Sequence, residues 1–519
     1  MSIKKKNLLI ILSLLAVLLS GCNFGGGSSN QSSFSMEPTT SSVSSSSSLE
    51  SSSPSSSSTS SSSSIKPINP LEDLEYIYDQ SVDCYWVNKA KSRDIAGDLV
   101  IPETYEGKPV VGIRMNAFQY CKSLKSVVLP SGIKEIESSA FELCERLESI
   151  TLNKGLERIK YYVFRECTSL KSVVIPDTVT FLGDWSFRDC RGLESVKLSK
   201  NITRIGDYMF EGCYHLTSIS IPDGVTYIGD FAFRDCFFNS IIIPNNVTTI
   251  GHSAFNNCPR LETVIIPASV TSLDSSAFIN CASLEEINVD SQNPNYCSID
   301  GVVYNKDKTV LMKIPSNWSK PFAFEETVIA IGDYAFYSCA NLVSYDVPSN
   351  ITSIGEDAFS NCKSLKTIII PDGVTTIGMF CFARDTVLKE ITIPGSVSTL
   401  EQGTFRDCSS LESVTLGEGL TYISHSPFMW CTSLKEIVIP HSVTKFGLNA
   451  LYEGFFEKIY YKGTEEEWNN IERLSEDKFT WNHEETTLYF YSENVPTATG
   501  NYWHYVDGKP TFWNIANNN

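Results

Sequence analysis

Apolar and polar positions alternate over short stretches of this chain and then break off, again and again. In LKTIIIP, Leu365–Pro371, the residues Leu365, Ile368 and Ile370 fall on one side and Thr367 and Ile369 on the other. That pattern predicts a short strand. Pro371 ends it, having no N–H to give to a ladder. DGVTTIG, Asp372–Gly378, then turns the chain, with Val374 and Ile377 inward and Gly378 supplying a permissive backbone. Phe and Cys three residues apart follow, a spacing that puts both on one face of a short helical turn. In several copies an aspartate after the glycine (Asp184, Asp207, Asp230, Asp333) is placed to cap that turn.

A longer period lies over the short one. Cys121, Cys144, Cys167, Cys190, Cys213 and Cys236 stand 23 residues apart, and Cys258 and Cys281 continue the series. After an interruption it resumes at Cys339 and Cys362, passes through Asp385 and runs on to Cys408 and Cys431. Phenylalanine precedes each position by three, from Phe118 to Phe428, and Leu451 with Gly454 form a degenerate last copy. Units of this length cannot bury their apolar face alone, so the chain is expected to stack them as a solenoid.

Stacking decides how to read the cysteines. Equivalent residues on neighbouring rungs lie about 4.8 Å apart with parallel side chains. A disulfide needs Cβ atoms at about 3.5–4.5 Å and converging, and zinc needs several ligands around one point. One cysteine per rung supplies neither, so a reduced packing ladder is expected, with no metal or other cofactor. Cys84, Cys297 and Cys381 are off register.

CKSLKTIIIPDGVTTIG and CTSLKEIVIPHSVTKFG resemble the leucine-rich repeats of treponemal type found in BspA-like bacterial surface proteins. The similarity covers roughly Leu99 to Lys462. It implies a right-handed leucine-rich-repeat solenoid, mainly β with short helical turns and about 23 residues per repeat, displayed at the cell surface. It also implies adhesion to host matrix proteins such as fibronectin or fibrinogen, or to neighbouring cells.

The flanks divide the chain further. Lys4–Lys6 and the apolar run Leu8–Leu19 read as a signal peptide, residues 1–21, because twelve residues are too few to span a bilayer that needs about 20. LSGC, Leu19–Cys22, resembles the lipobox of bacterial lipoproteins, which implies a diacylated Cys22 holding the mature chain to the outer side of the membrane. Residues 22–64 form a tether; from Ser28 to Ser64, 24 of 37 residues are serine, with almost nothing to bury. Residues 65–115 are expected to cap the first rung, 116–286 and 331–462 to hold the repeats, and 463–519 to form an aromatic C-terminal cap. That cap has a capping box at Thr464 and Glu467, and a hairpin turn at Asp507–Gly508. Its Trp503, Tyr505, Phe512 and Trp513 serve either to cover the final rung or to stack on sugar. Residues 287–330 interrupt the register, with Val302–Tyr304 and Thr309–Met312 predicted as a projecting hairpin whose second strand keeps the sheet going.

A formal charge of −19 speaks against nucleic acid as a partner. Chemistry is equally poorly served. His483 in HEETT lacks the second histidine of a zinc helix, and GHSAF around Ser253 lacks the strand and second glycine of a nucleophile elbow. No enzyme is expected. The outward side of the strands is more telling, since Val128, Val174, Ile242, Ile265 and Ile369 lie where core packing does not require them, beside a column of serine and threonine. A helical turn is wider than a strand spacing, so this side is expected to be concave. The reading is a lipid-anchored adhesin or protein-interaction scaffold, with a surface glycan or nutrient capture lipoprotein as the alternative.

Overall fold

The computed structural model describes residues 67–320, 325–452, 454–474, 486–497 and 499–513. The signal peptide, Cys22 and the serine tether lie outside them. Over most of the stack the strand of one repeat lies in parallel against that of the next. Ser126, Val127 and Val128 face Ser149, Ile150 and Thr151, and Val173 and Val174 face Val196 and Lys197. A constant repeat length keeps equivalent residues opposite. Val127, Ile150, Val173 and Val196 therefore all point into one continuous core, while their neighbours along the strand, apart from the half-buried Ser126, are exposed. These strands form the front ladder.

The segment read as a plain turn contains a second ladder. Arg158–Ile159 pairs in parallel with Phe181–Leu182, and Tyr227–Ile228 with Thr249–Ile250. Its glycines serve close approach rather than unusual torsion. A Cβ on Gly378 would lie 2.5 Å from the backbone nitrogen of Glu356 on the preceding rung.

The third side corrects the expected helical turn. Along Asn116–Cys121 the N–H groups bond alternately to the neighbouring rung and locally. Phe118 N donates to Ala140 O at 2.8 Å and Tyr120 N to Glu142 O at 2.9 Å, whereas Ala117 N and Cys121 N reach Arg114 O and Phe118 O at 3.2 and 3.0 Å. This zigzag needs left-handed residues at two places per repeat, such as Asn116 (φ 59°) and Tyr120 (φ 65°), or Trp185 (φ 65°) and Asp189 (φ 57°). A single helical turn satisfies few N–H groups for the dihedrals it fixes. The neighbouring rung satisfies every second one and wins. The aspartates change role accordingly, because Asp184 Oδ1 accepts from Asp207 N, and Asp207 Oδ1 from Asp230 N, both at 3.1 Å. They cap the next rung, not their own.

Phenylalanines stack face to face inside this side. Centroids are 5.1–5.8 Å apart from Phe118 to Phe278 and 4.6–5.9 Å apart from Phe336 to Phe428. Phe456, rather than Leu451, ends the file by meeting Phe428 edge-on at 5.8 Å. The core falls into two clusters that meet at Val302 and Val303. There the interruption is a three-stranded meander, Tyr296–Ile299, Val302–Asn305 and Val310–Lys313. Its last strand pairs in parallel with Ala330–Ile331, so it carries on the second ladder and not the front one. Lys313 is buried with it, its ammonium donating to Tyr334 O at 2.7 Å and its pKa pulled down to about 8 by burial.

Caps finish both ends. The hairpin Leu74–Asp79 with Cys84–Ala90 lies against Lys108–Ile113 at the start. At the other end Lys458–Tyr461 is not the last strand, since Thr487–Tyr491, Tyr502–Val506 and Lys509–Phe512 extend the same sheet. Thr464 and Glu467 form a reciprocal capping box on the helix Glu465–Asn470, which buries Trp468. Trp503 is fully buried and donates its indole N–H to Tyr461 O at 2.9 Å. It covers the outward side of Lys458–Tyr461, packed on Tyr460, and is itself too buried to stack on a sugar.

Candidate binding face

The front ladder places one outward residue per rung in a central column. Val128, Val174, Ile242, Ile265 and Ile369 all stand exposed in it, Ile242 at 83% and Ile265 at 65%. Val100, also exposed, heads the column; its pairing with Val128 follows from the first strand, Gly97–Val100. The column is not one unbroken strip. Thr151 separates Val128 from Val174 and Lys197 follows, Asn288 stands next to Ile265, and Asp346 next to Ile369. Ile242 and Ile265 are adjacent, in the register set by Ser240↔Thr263 and Ile241↔Val264. The structure thus gathers these two and spaces the other three apart.

Hydroxyls and balanced charges border the column. Ser149, Ser172, Ser195, Ser240 and Thr263 are exposed on one side. Beyond them charges cross from rung to rung, with Lys171–Glu194 at 3.2 Å, Lys389–Glu412 at 3.1 Å and Lys125–Glu148 at 3.8 Å. Such exposed pairs add little stability, but they balance the charge of the border where they occur.

Inside, the chemistry is closed off. Most ladder thiols donate to the phenylalanine carbonyl one rung back, as in Cys167 to Phe141 O at 3.1 Å and Cys408 to Phe382 O at 3.0 Å, while Cys339 reaches Pro315 O at 3.9 Å. The described cysteines are free, and burial pushes ladder thiols such as Cys167 and Cys408 well above their usual pKa, so these are poor nucleophiles and poor ligands. Cys381 is buried in the place that several other repeats give to alanine, and Cys297 is half-buried in the meander. Among the described residues no group of three or more His, Cys, Asp or Glu is placed to hold a metal ion. Ser253 is buried, its N–H bonded to Ser276 Oγ at 2.9 Å, and His483 lies outside the described residues.

Parallel rungs of about 23 residues, a phenylalanine file and capped ends define a leucine-rich-repeat solenoid. The family model described as "BspA type Leucine rich repeat region (6 copies)" matches residues 111–236, 203–320 and 329–455, and the chain belongs to that family. Among solved structures it is similar to a leucine rich cell surface protein from Faecalibacterium prausnitzii, with 28% identity and a TM-score of 0.56 over 77% of this chain and 96% of that one. It is also similar to the T. pallidum leucine rich repeat protein, at 25% identity and a TM-score of 0.31, over 42% of this chain and 90% of that one. A search of curated proteins finds no match. The fold is of a kind that typically serves as a protein-interaction scaffold rather than an enzyme. No helix among the described residues is long and apolar enough to cross a membrane.

Proposed function

We propose that this protein is a cell-surface adhesin, lipid-anchored at Cys22 and lifted off the membrane by its serine-rich tether, that binds extracellular protein through the front ladder. One observation carries the reading: Ile242 and Ile265 lie side by side, exposed, next to the hydroxyls of Ser240 and Thr263. Isolated exposed isoleucines are ordinary, but an adjacent pair on a flat sheet, bordered by polar groups, has the make-up of an interface centre with its rim. Partners of this kind include host matrix proteins such as fibronectin or fibrinogen, and proteins on neighbouring cells. The surface setting is supported by the family and by the cell surface relative.

Ile242→Glu combined with Ile265→Glu tests the face. Attachment to matrix-coated surfaces and to cells is expected to fall to background while the melting temperature stays near that of the parent. Attachment that survives the double change removes the front column from the reading. The anchor has its own test: metabolic labelling with a fatty-acid probe is expected on the parent and lost in Cys22→Ala, and labelling that persists overturns it.

A further inference from the structure

The C-terminal hairpin does more than close the stack. Its strands, Tyr502–Val506 and Lys509–Phe512, are joined by a tight turn with left-handed Asp507 (φ 49°) and Gly508 (φ 74°). The tip lies over the outward side of the last repeats and encloses with them a groove of about 520 Å³, within the range of sites that hold a small ligand. Thr415 and Val438, the continuation of the central column, form its floor, and Tyr505 and Pro510 its wall. The front ladder lapses here, as it also does between Thr367–Ile369 and Glu390–Ile393, because Ser413–Leu416 and Glu436–Ile439 belong to separate hydrogen-bonded sheets.

We infer that this groove is a binding site for a neutral oligosaccharide, distinct from the isoleucine pair. Tyr505 is 42% exposed in the groove wall. Its ring is fixed edge-on against Trp503 at 4.9 Å, with the Lys462 ammonium 5.6 Å over it. A fixed, half-exposed aromatic ring beside water-facing polar groups is what a sugar's apolar face packs on. Of the five charged residues that line the groove, four are paired, Glu436 with Lys458 at 2.6 Å, Lys462 with Glu418 at 2.7 Å, Glu412 with Lys389 at 3.1 Å and Lys435 with Glu457 at 3.8 Å, and Lys509 stands beside the hairpin turn. Carboxylates accept and ammonium groups donate to hydroxyls, and with four of the five charges balanced they give a charged ligand little to bind. An extended peptide is served less well. Adding a strand requires an open edge, and the outer strand of the hairpin carries Pro510, which lacks an N–H, and Lys509, both of which blunt an edge.

The full chain is probed with an array of unbranched neutral hexose oligosaccharides, their sialylated and sulfated counterparts, and extended peptides. Retention of neutral oligosaccharides is expected, falling about tenfold or more in Tyr505→Ala and staying within about threefold in Tyr505→Phe. Thr415→Arg, which fills the floor from an exposed position, is expected to abolish retention with the melting temperature unchanged, and serves alone if Tyr505→Ala unfolds. Ile242→Glu with Ile265→Glu should leave it intact, so this proposal and the front-face reading fail separately. No retention by the parent chain overturns the inference. So does retention that survives Thr415→Arg, or a preference for the charged sugars or the peptides.

Discussion

The thiol of Cys213 donates to the carbonyl oxygen of Phe187, one rung back, at 3.2 Å. That carbonyl already accepts the N–H of Cys190 at 3.1 Å, so the thiol takes its second lone pair. Cysteine recurs because it is small and apolar enough for the core yet still carries a weak donor that ties one rung to the last. Cys213→Ala is expected to lower stability by about 1–2 kcal/mol, one net hydrogen bond and a small void. Urea unfolding measures it, and an unchanged midpoint would discard the ladder bond. Non-reduced peptide maps should show Cys190, Cys213 and Cys236 unlinked.

The same file makes the protein sensitive to alkali. Burial raises the pKa of Cys144, Cys167, Cys213, Cys236 and Cys362 well above the thiol range, and that of Cys339 to about 12. A thiol raised in the folded state favours folding fully below its unfolded pKa of about 8.5 and loses that contribution as pH climbs toward the folded value. Each contributes a slope of up to about 1.4 kcal/mol per pH unit in that window, and the thiols act together. Stability measured from pH 7 to 10 should fall steeply above about 8.5. A flat profile would mean that the thiols are bonded or accessible.

Asp385 occupies a cysteine place and is fully buried, its Oδ1 accepting from Cys362 N at 2.7 Å and its Oδ2 lacking a partner. Burial drives its carboxyl pKa far up. Such a carboxyl supports folding below its unfolded pKa of about 3.9 and ceases to as pH rises toward the folded value. Asp385→Cys restores the repeat and should gain on the order of 1–3 kcal/mol at pH 7, the cost of a buried, half-satisfied polar group. The gain should shrink toward pH 4. Equal gains at both pH values would show that the carboxyl is not the cause.

The repeat, its inward residues and the exposure of Ile242 and Ile265 were legible because strand alternation and a fixed period both reach into the sequence. The left-handed residues of the far side were not. Asn116 and Asp189 tolerate that conformation and hint at it, but Tyr120, Trp185 and Arg384 adopt it with no local signal. Their torsions are set by bonds to the next rung, which a single unit does not contain. The second ladder was hidden for the same reason, each of its strands being two residues long in most rungs, as at Thr376–Ile377. The C-terminal groove needed the hairpin to be placed over the sheet. Asp507–Gly508 announced the turn, while nothing in the sequence said which way its tip would lie.

Trp503 decides how the last rungs hold. It is fully buried, with its indole N–H bonded to Tyr461 O and its ring packed against Tyr460 at 5.3 Å and edge-on to Tyr491 at 5.2 Å. Trp503→Ala removes that cover and should cost about 3–5 kcal/mol locally. Rungs of a solenoid touch only their neighbours, so the damage is expected to stay near the end. Hydrogen exchange should speed up across Glu436–Ile439 and Lys458–Tyr461 while Val127, Ile150 and Val173 keep their protection. A uniform loss over all rungs would show that the stack unfolds as one unit, and no loss would show that the cap lies elsewhere.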